Sequence, residues 1–260
     1  MSIELSAKNE QVVSSPPTGW QVIWREFKKD KIAMFSLIAL IIVIVGVFIW
    51  AWFIDKEALM KISLRDKYGA PGDKFFLGAD QGGRDILGQL IIGARNSIAI
   101  AISITLITGI FGIFVGLICG YFGGWIDNMF MRIIDFFITI PSLMLIIVFI
   151  TVIPKYGVPE FVLIMSLFLW TGTARLVRSK ALSESRRDYV NASKTLGTND
   201  FVIIFKEIMP NLSSILIVEL TLNFAGNVGI ETGLSYLGYG LPPSTPSLGT
   251  LVSYANNPLV

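Results

Sequence analysis

From Ala33 to Ile54 the chain carries fourteen Leu, Ile, Val and Phe residues and not one charge. A stretch that long satisfies its backbone hydrogen bonds in lipid only as a helix. Its apolar side chains contribute roughly −4 to −8 kcal/mol to insertion, with no charge to oppose them. The run is too long for a signal-peptide core and lacks a small-residue cleavage site, so it is read as a retained anchor. Four more apolar stretches follow, about Ser97 to Tyr121, Ile133 to Ile153, Glu160 to Val177 and Leu212 to Ile230. Each can cross a hydrocarbon core of ~30 Å, the fourth span only with help from its ends. With 53% hydrophobic and 15% charged residues in 260, against about a quarter charged in soluble domains, the chain is an all-α polytopic membrane bundle.

Arg25, Lys28, Lys29 and Lys31 precede the first span and place the N-terminus in the cytoplasm. This divides the chain into a polar tail (1–32), an anchor helix (33–54), an extracytoplasmic loop (55–96) and a core (97–260). The loop has seven basic residues balanced by six acidic ones, and long loops weigh little in orientation. Cytoplasmic placement of residues 176–211 fits Arg178, Lys180, Arg186, Arg187, Lys194 and Lys206. No inverted repeat of the kind found in secondary transporters is visible.

Several chemistries drop out. No histidine and a single cysteine, Cys119, exclude a disulfide within the chain and a His/Cys metal site or Cys/His nucleophile. Neither GxxxxGK[ST] nor a GxGxxG after a strand is present, so any ATP hydrolysis takes place on another polypeptide. No basic run interleaved with aromatics suggests a nucleic-acid groove. Within residue 97 onward, the polar segment 175–211 is the unusual part. It reads as a helix from Arg175 to Leu196, a left-handed turn at Gly197, and a second short helix stopped by Pro210. A structured connection between spans suggests a soluble partner, although a plain helical hairpin would have the same pattern.

That segment resembles the EAA loop of ABC importer permeases. Asn191-Ala192-Ser193 stand at the Glu-Ala-Ala positions, Gly197 at the Gly, and Met209-Pro210 at the Leu-Pro. Asn191, Ser193 and Glu207 depart from the usual residues. Leu77 to Leu87, Gly93 to Ser97, Gly123 to Asp127, Met131, Arg132, Asp135, Pro141 and Leu234 to Gly240 with the tail Pro242 to Gly249 resemble dipeptide, oligopeptide and nickel permeases. The resemblance implies the type I importer fold, with a sixth span expected beyond the chain end. It implies a transport subunit, not an enzyme, coupled to its ATPases through Tyr189, Asn191, Ala192, Ser193, Leu196, Gly197 and Pro210. Implied partners are a homologous second permease, two ATPase subunits that bind ATP and Mg, and an extracytoplasmic binding protein. The implied cargo is a dipeptide or oligopeptide in the cell membrane, with nickel or another small solute as the alternative.

Other features allow two readings. Ile86, Leu87, Leu90, Ile91 and Ala94 form an apolar stripe expected along the outer interface, either as an anchor or against a delivering protein. Gly112, Gly116 and Gly120 favour close helix packing over cargo contact, within the chain or with a second subunit. Arg132 and Asp135 are expected to pair on one helix face, and Pro141 to kink its span. Glu219, Asn223, Asn227 and Glu231 recur every fourth residue, so they either line a wet path or bond neighbouring helices. The residues alone also leave open an ATP-independent carrier or membrane scaffold.

Overall fold

The computed structural model describes residues 20–153, 155–242 and 244–256, so the polar tail of residues 1–19 lies outside it. Helix α1 (Trp20–Lys29) is separated by one residue from α2 (Lys31–Phe53). Asp30 makes the boundary: its backbone is extended, and its carboxylate accepts from the Ile32 and Ala33 amides at 2.9 and 3.1 Å, capping α2. Along α2 only Ala51 is buried, the pattern of a helix whose surroundings are lipid rather than protein.

A short α3 (Lys56–Leu59) and a 3-10 turn at Leu64–Asp66 open the following loop. Residues 77–87 tie themselves around Asp80. Its carboxylate accepts from the Gly82 amide, the amide and Nε of Arg84, and Gln89 Nε2, at 2.8 to 3.0 Å. Gly83 sits at φ +71° with the Ser63 carbonyl against its missing side chain, a position that only glycine fills without strain. Asp85 then caps α4 (Ile86–Phe122).

At 37 residues, α4 is about 55 Å long, well beyond a hydrocarbon core of ~30 Å. The apolar stripe expected as a separate interfacial helix is instead the first three turns of this helix. Of the stripe, Ile91 is buried with Ile92 against Ala51 of α2 and Leu87 packs against them, whereas Leu90 is exposed, so the stripe faces protein only in part. The span expected at 133–153 is also different. It divides into α5 (Gly124–Thr139) and α6 (Ser142–Val152), which meet at 80°. Pro141 forces Ile140 into extended backbone (φ −101°, ψ 130°), which ends α5 outright rather than kinking it.

Next come α7 (Val158–Glu184), α8 (Asp188–Thr195), α9 (Asp200–Val202), α10 (Met209–Asn211), α11 (Ser213–Tyr236) and α12 (Leu248–Ala255). Among the described residues, α2, α4, α7 and α11 are each long and apolar enough to span a membrane, and α5 with α6 form a fifth, broken candidate. The fold is an all-α bundle of these long helices. Packing fixes relative directions: α2 runs against α4, because its last turn meets the first turns of α4. Helix α7 runs with α4, and α11 runs against it, since Gly109 meets Leu220 whereas Thr105 meets Asn227. The start of α2 therefore lies at the same end of the bundle as α8. After α11 the Gly- and Pro-rich stretch folds back to α12, where Asn96 Nδ2 donates to the Pro246 carbonyl and the Leu248 amide to Ser97 Oγ (2.8 and 3.1 Å).

Candidate functional site

The helix expected from Arg175 to Leu196 is two helices. α7 ends at Glu184, and Asp188 starts α8 in a new direction. No glycine or proline marks this break. Glu184 causes it: its carboxylate takes Arg187 Nε and the Tyr189 hydroxyl, both at 3.0 Å, across the turn. Burial raises the Tyr189 phenol above its usual range, with the Glu184 carboxylate adding to the effect. At its other end α8 closes through a Schellman pattern: the Thr198 amide donates to the Ser193 carbonyl and the Gly197 amide to the Lys194 carbonyl, both at 3.0 Å. Gly197 carries the left-handed turn at φ +77°.

Nor does Pro210 stop the second helix. The chain stays helical from Asp200 to Asn211 through a π turn at Ile203–Ile208. Proline lacks a donor and its ring crowds the carbonyl four residues back. A widened turn immediately before it moves that carbonyl aside, and Pro210 falls in the first turn of α10, where no donor is required.

Four ties fasten α8 to the bundle. Val190 is buried among Leu117, Val177, Ile204, Ile208 and Leu212. Tyr189 joins Glu184 to Asn211, whose Nδ2 donates to the phenol oxygen at 3.0 Å. Ser193 Oγ donates to Glu207 in the π turn at 2.9 Å, so two residues that depart from the usual loop pattern are bonded to each other. Lys194 Nζ lies 4.4 Å from the Tyr121 ring centre, and the Tyr121 hydroxyl donates to Asp200. The opposite face of α8 is open. Asn191, Ala192, Thr195 and Gly197 are exposed, and Leu196 is 85% exposed. Of the predicted coupling residues, Tyr189 and Ser193 hold the helix, Asn191, Ala192, Leu196 and Gly197 form its outer surface, and Pro210 sits at the foot of α11.

The polar stripe of α11 points into this chain. Thr173 Oγ1 donates to Glu219 at 3.2 Å, and Asn223 Nδ2 donates to both Thr173 Oγ1 and Glu219 (2.9 and 3.1 Å). Asn227 is buried, with its Nδ2 on Thr105 Oγ1 at 2.9 Å. Glu231 is wholly buried and accepts from Ser235 Oγ at 2.8 Å. The partners of Glu219, Asn223 and Asn227 on other helices, Thr173 and Thr105, carry no sequence signal of their own. On the other side of α11, Val218, Leu222, Gly226, Gly229 and Gly233 are exposed, and a Cβ at any of these glycines would meet nothing within 4 Å.

Gly112, Gly116 and Gly120 face α7. A Cβ at Gly116 would lie 2.7 Å from the Ala174 carbonyl oxygen, and one at Gly120 would lie 2.6 Å from Ala181 Cβ. Small residues here let two backbones meet directly. Arg132 and Asp135 do not pair; Asp135 reaches Arg175 on α7 instead, because helix packing brings a cation closer than its own turn does. A second pair has no signal in the sequence: Arg178 holds Asp127 through Nε and Nη2, linking α5 to α7. Cys119 is buried.

Residues 112–260 match the family described as binding-protein-dependent transport system inner membrane component. Residues 18–65 match the N-terminal TM domain of oligopeptide transport permease C. The oligopeptide transport system permease protein OppC of Lactococcus lactis subsp. lactis (strain IL1403) is 51% identical over 237 residues, covering 91% of this chain and 81% of that protein. OppC of Bacillus subtilis (strain 168) is 33% identical over 234 residues, 90% of this chain and 76% of the relative. The dipeptide transport system permease protein DppC of Lactococcus lactis subsp. cremoris (strain MG1363) is 30% identical over 284 residues, 95% and 82%. With its core inside that family and its anchor inside the permease C domain, the chain belongs to the inner membrane components of binding-protein-dependent transport systems.

Proposed function

We propose that this chain is one of two permease subunits in an ATP-driven importer that takes peptides from an extracytoplasmic binding protein. The single observation that carries the coupling role is α8: a helix tied to α7, α4 and the foot of α11 on one face and bare on the other. A soluble ATPase seated on Asn191, Ala192, Leu196 and Gly197 would push on Val190, Ser193 and Tyr189, and through them on α11. ATP and Mg belong to that partner. No bond is made or broken on this chain; its work is to tilt between two openings. The bare, small-residue face of α11 fits a second, homologous permease. The α8 end is read as cytoplasmic, which puts the start of α2 and its lysines on the same side, in a multi-pass protein of the cell membrane.

Leu196→Asp tests the docking. Leu196 touches little of its own chain, so insertion and yield are expected to stay unchanged. Co-purification of the ATPase subunits and ATP-dependent peptide uptake are expected to fall at least about tenfold, the equivalent of ~1.4 kcal/mol. Normal uptake by this variant would end the reading.

For the α11 stripe, we propose that Asn227 bonds α11 to α4, that Glu231 is held within α11 by Ser235, and that Glu219 with Asn223, half-buried, adjoin the path. Glu219→Gln keeps an acceptor for Thr173 and removes the charge. Uptake is expected to drop by roughly tenfold, about 1.4 kcal/mol of barrier, at an unchanged membrane level of protein. Unaltered uptake assigns the whole stripe to helix bonding.

A further inference from the structure

We infer that α1 is an interfacial helix that lies on the membrane surface and binds anionic phospholipid headgroups. Three features on the chain lead there. The first is continuity with α2. One residue, Asp30, joins α1 to a helix that buries almost nothing in the protein and has no charge after Lys31. Lys31 therefore sits where the apolar run begins, and the end of α1 at Lys29 is held beside it. The second is the corner itself. Asp30 has extended backbone (φ −84°, ψ 104°), its amide donates to the Phe27 carbonyl at 3.2 Å, and its carboxylate is committed to the α2 cap. α1 thus departs from the α2 axis and is not an extension of the span.

The third is the division of α1 into faces. Apolar residues recur at 20, 23, 24 and 27 in the sequence, the spacing of one helical face. Trp24 and Phe27 stack with ring centres 6.2 Å apart, and Trp24 is 50% exposed. Such a pair at a bilayer boundary places its rings among headgroups and upper acyl chains. Arg25 and Lys29, one turn apart, lie on the opposite side, and Lys28 Nζ stands 5.1 Å from the Trp24 ring, at the border between the faces. With Lys31 these make four cations against two acids, Glu26 and Asp30, one of which is committed to capping α2. Phosphate-bearing lipids complement that charge, whereas a neutral zwitterionic surface does so only weakly. A soluble protein partner is the competing occupant; the exposed Trp24 stacked on Phe27, directly beside the start of an apolar span, favours lipid. Lipid binding here goes beyond peptide uptake and does not depend on which leaflet is cytoplasmic.

The test uses the full chain in vesicles of phosphatidylcholine with and without phosphatidylglycerol. Nitroxide labels are placed through Phe27→Cys and, separately, Lys29→Cys; Cys119 is buried, and the unsubstituted chain measures its background. In phosphatidylglycerol vesicles the label at 27 is expected to respond more to oxygen than to an aqueous nickel chelate, and the label at 29 the reverse. Replacing Arg25, Lys28 and Lys29 with Gln, with the label at 27, is expected to move it toward water by at least about twofold in the accessibility ratio, an effect that phosphatidylcholine alone also produces. A label at 27 that is as wet as the label at 29 in phosphatidylglycerol overturns the inference. So does protection that appears only when the ATPase subunits are added, or a position at 27 indifferent to both lipid charge and the Gln replacements.

Discussion

Gly116→Leu is expected to abolish the folded permease. The glycine lies where α4 and α7 touch through backbone atoms, with the Ala174 carbonyl and Val177 Cβ both 2.7 Å from the point a Cβ would occupy. Neither neighbour is the movable end of a long side chain, so the helices must separate. Overpacking of an ordinary core site costs about 1–3 kcal/mol. Here the wedge also parts Gly112 from Thr173 and Gly120 from Ala181, so the loss is expected above that range. In detergent, the variant should yield little monodisperse protein and no uptake. Gly46→Ala is the control. Its added methyl meets nothing within 4 Å, and a helical Ala should leave stability unchanged or raise it by ~0.5–1 kcal/mol. If Gly116→Leu purifies and transports normally, α4 and α7 do not pack as described.

Arg178→Gln is expected to be the second most damaging change. Asp127, with its side chain 13% exposed, would keep a charge that nothing neutralises, while Arg178 itself is 29% exposed. Breaking a fully buried pair costs about 3–5 kcal/mol; the water that reaches Arg178 lowers this to about 1–3 kcal/mol. Asp127→Asn with Arg178→Gln should recover more than half of that loss, since the stranded charge is gone. Thermal unfolding of the two single variants and the double variant measures the coupling. A double variant no better than Arg178→Gln alone would mean that the pair contributes through packing and not charge.

These two sites differ in how far the sequence disclosed them. Glycines every fourth residue in an apolar run announced a close approach, but the partner helix was not legible, because Thr173, Ala174 and Ala181 are unremarkable in any span. For Asp127 and Arg178 there was no signal at all: they are 51 residues apart, and only the parallel packing of α7 beside α4 brings α5 within reach. The same holds for Asp135, which was expected on Arg132 and bonds to Arg175. Local pairing rules rank neighbours on one helix and are silent about the next. The α11 stripe was legible as a face and not as a direction, since that depended on two threonines on other helices.

Helix boundaries, too, are set by contacts beyond the local sequence. Pro141 is expected to kink its span and Pro210 to stop a helix, and the structure has each otherwise. Before Pro141 the backbone is extended and the helix ends; before Pro210 a π turn lets it continue. Nothing in the two local sequences separates these outcomes, because packing of Ile203, Ile204 and Ile208 against Val177 and Leu212 selects the wider turn. The break at Glu184 likewise came from side chains closing a turn, not from a residue that forbids helix. By contrast α2 matches the expected span almost to the residue, since an unbroken apolar run and the Asp30 cap set its limits and protein buries only Ala51 along it.

Because α4 is one uninterrupted rod, its two ends cannot move independently. One end is pinned by the Asp80 knot and the turns around α12, the other adjoins α8 through Tyr121. A stiff body about 55 Å long that tilts by roughly 5° carries its far tip through about 5 Å, with no hinge to dissipate the motion. A displacement of a few ångströms at the α8 end is then geometrically the same event as a tilt of the whole rod about its pinned end.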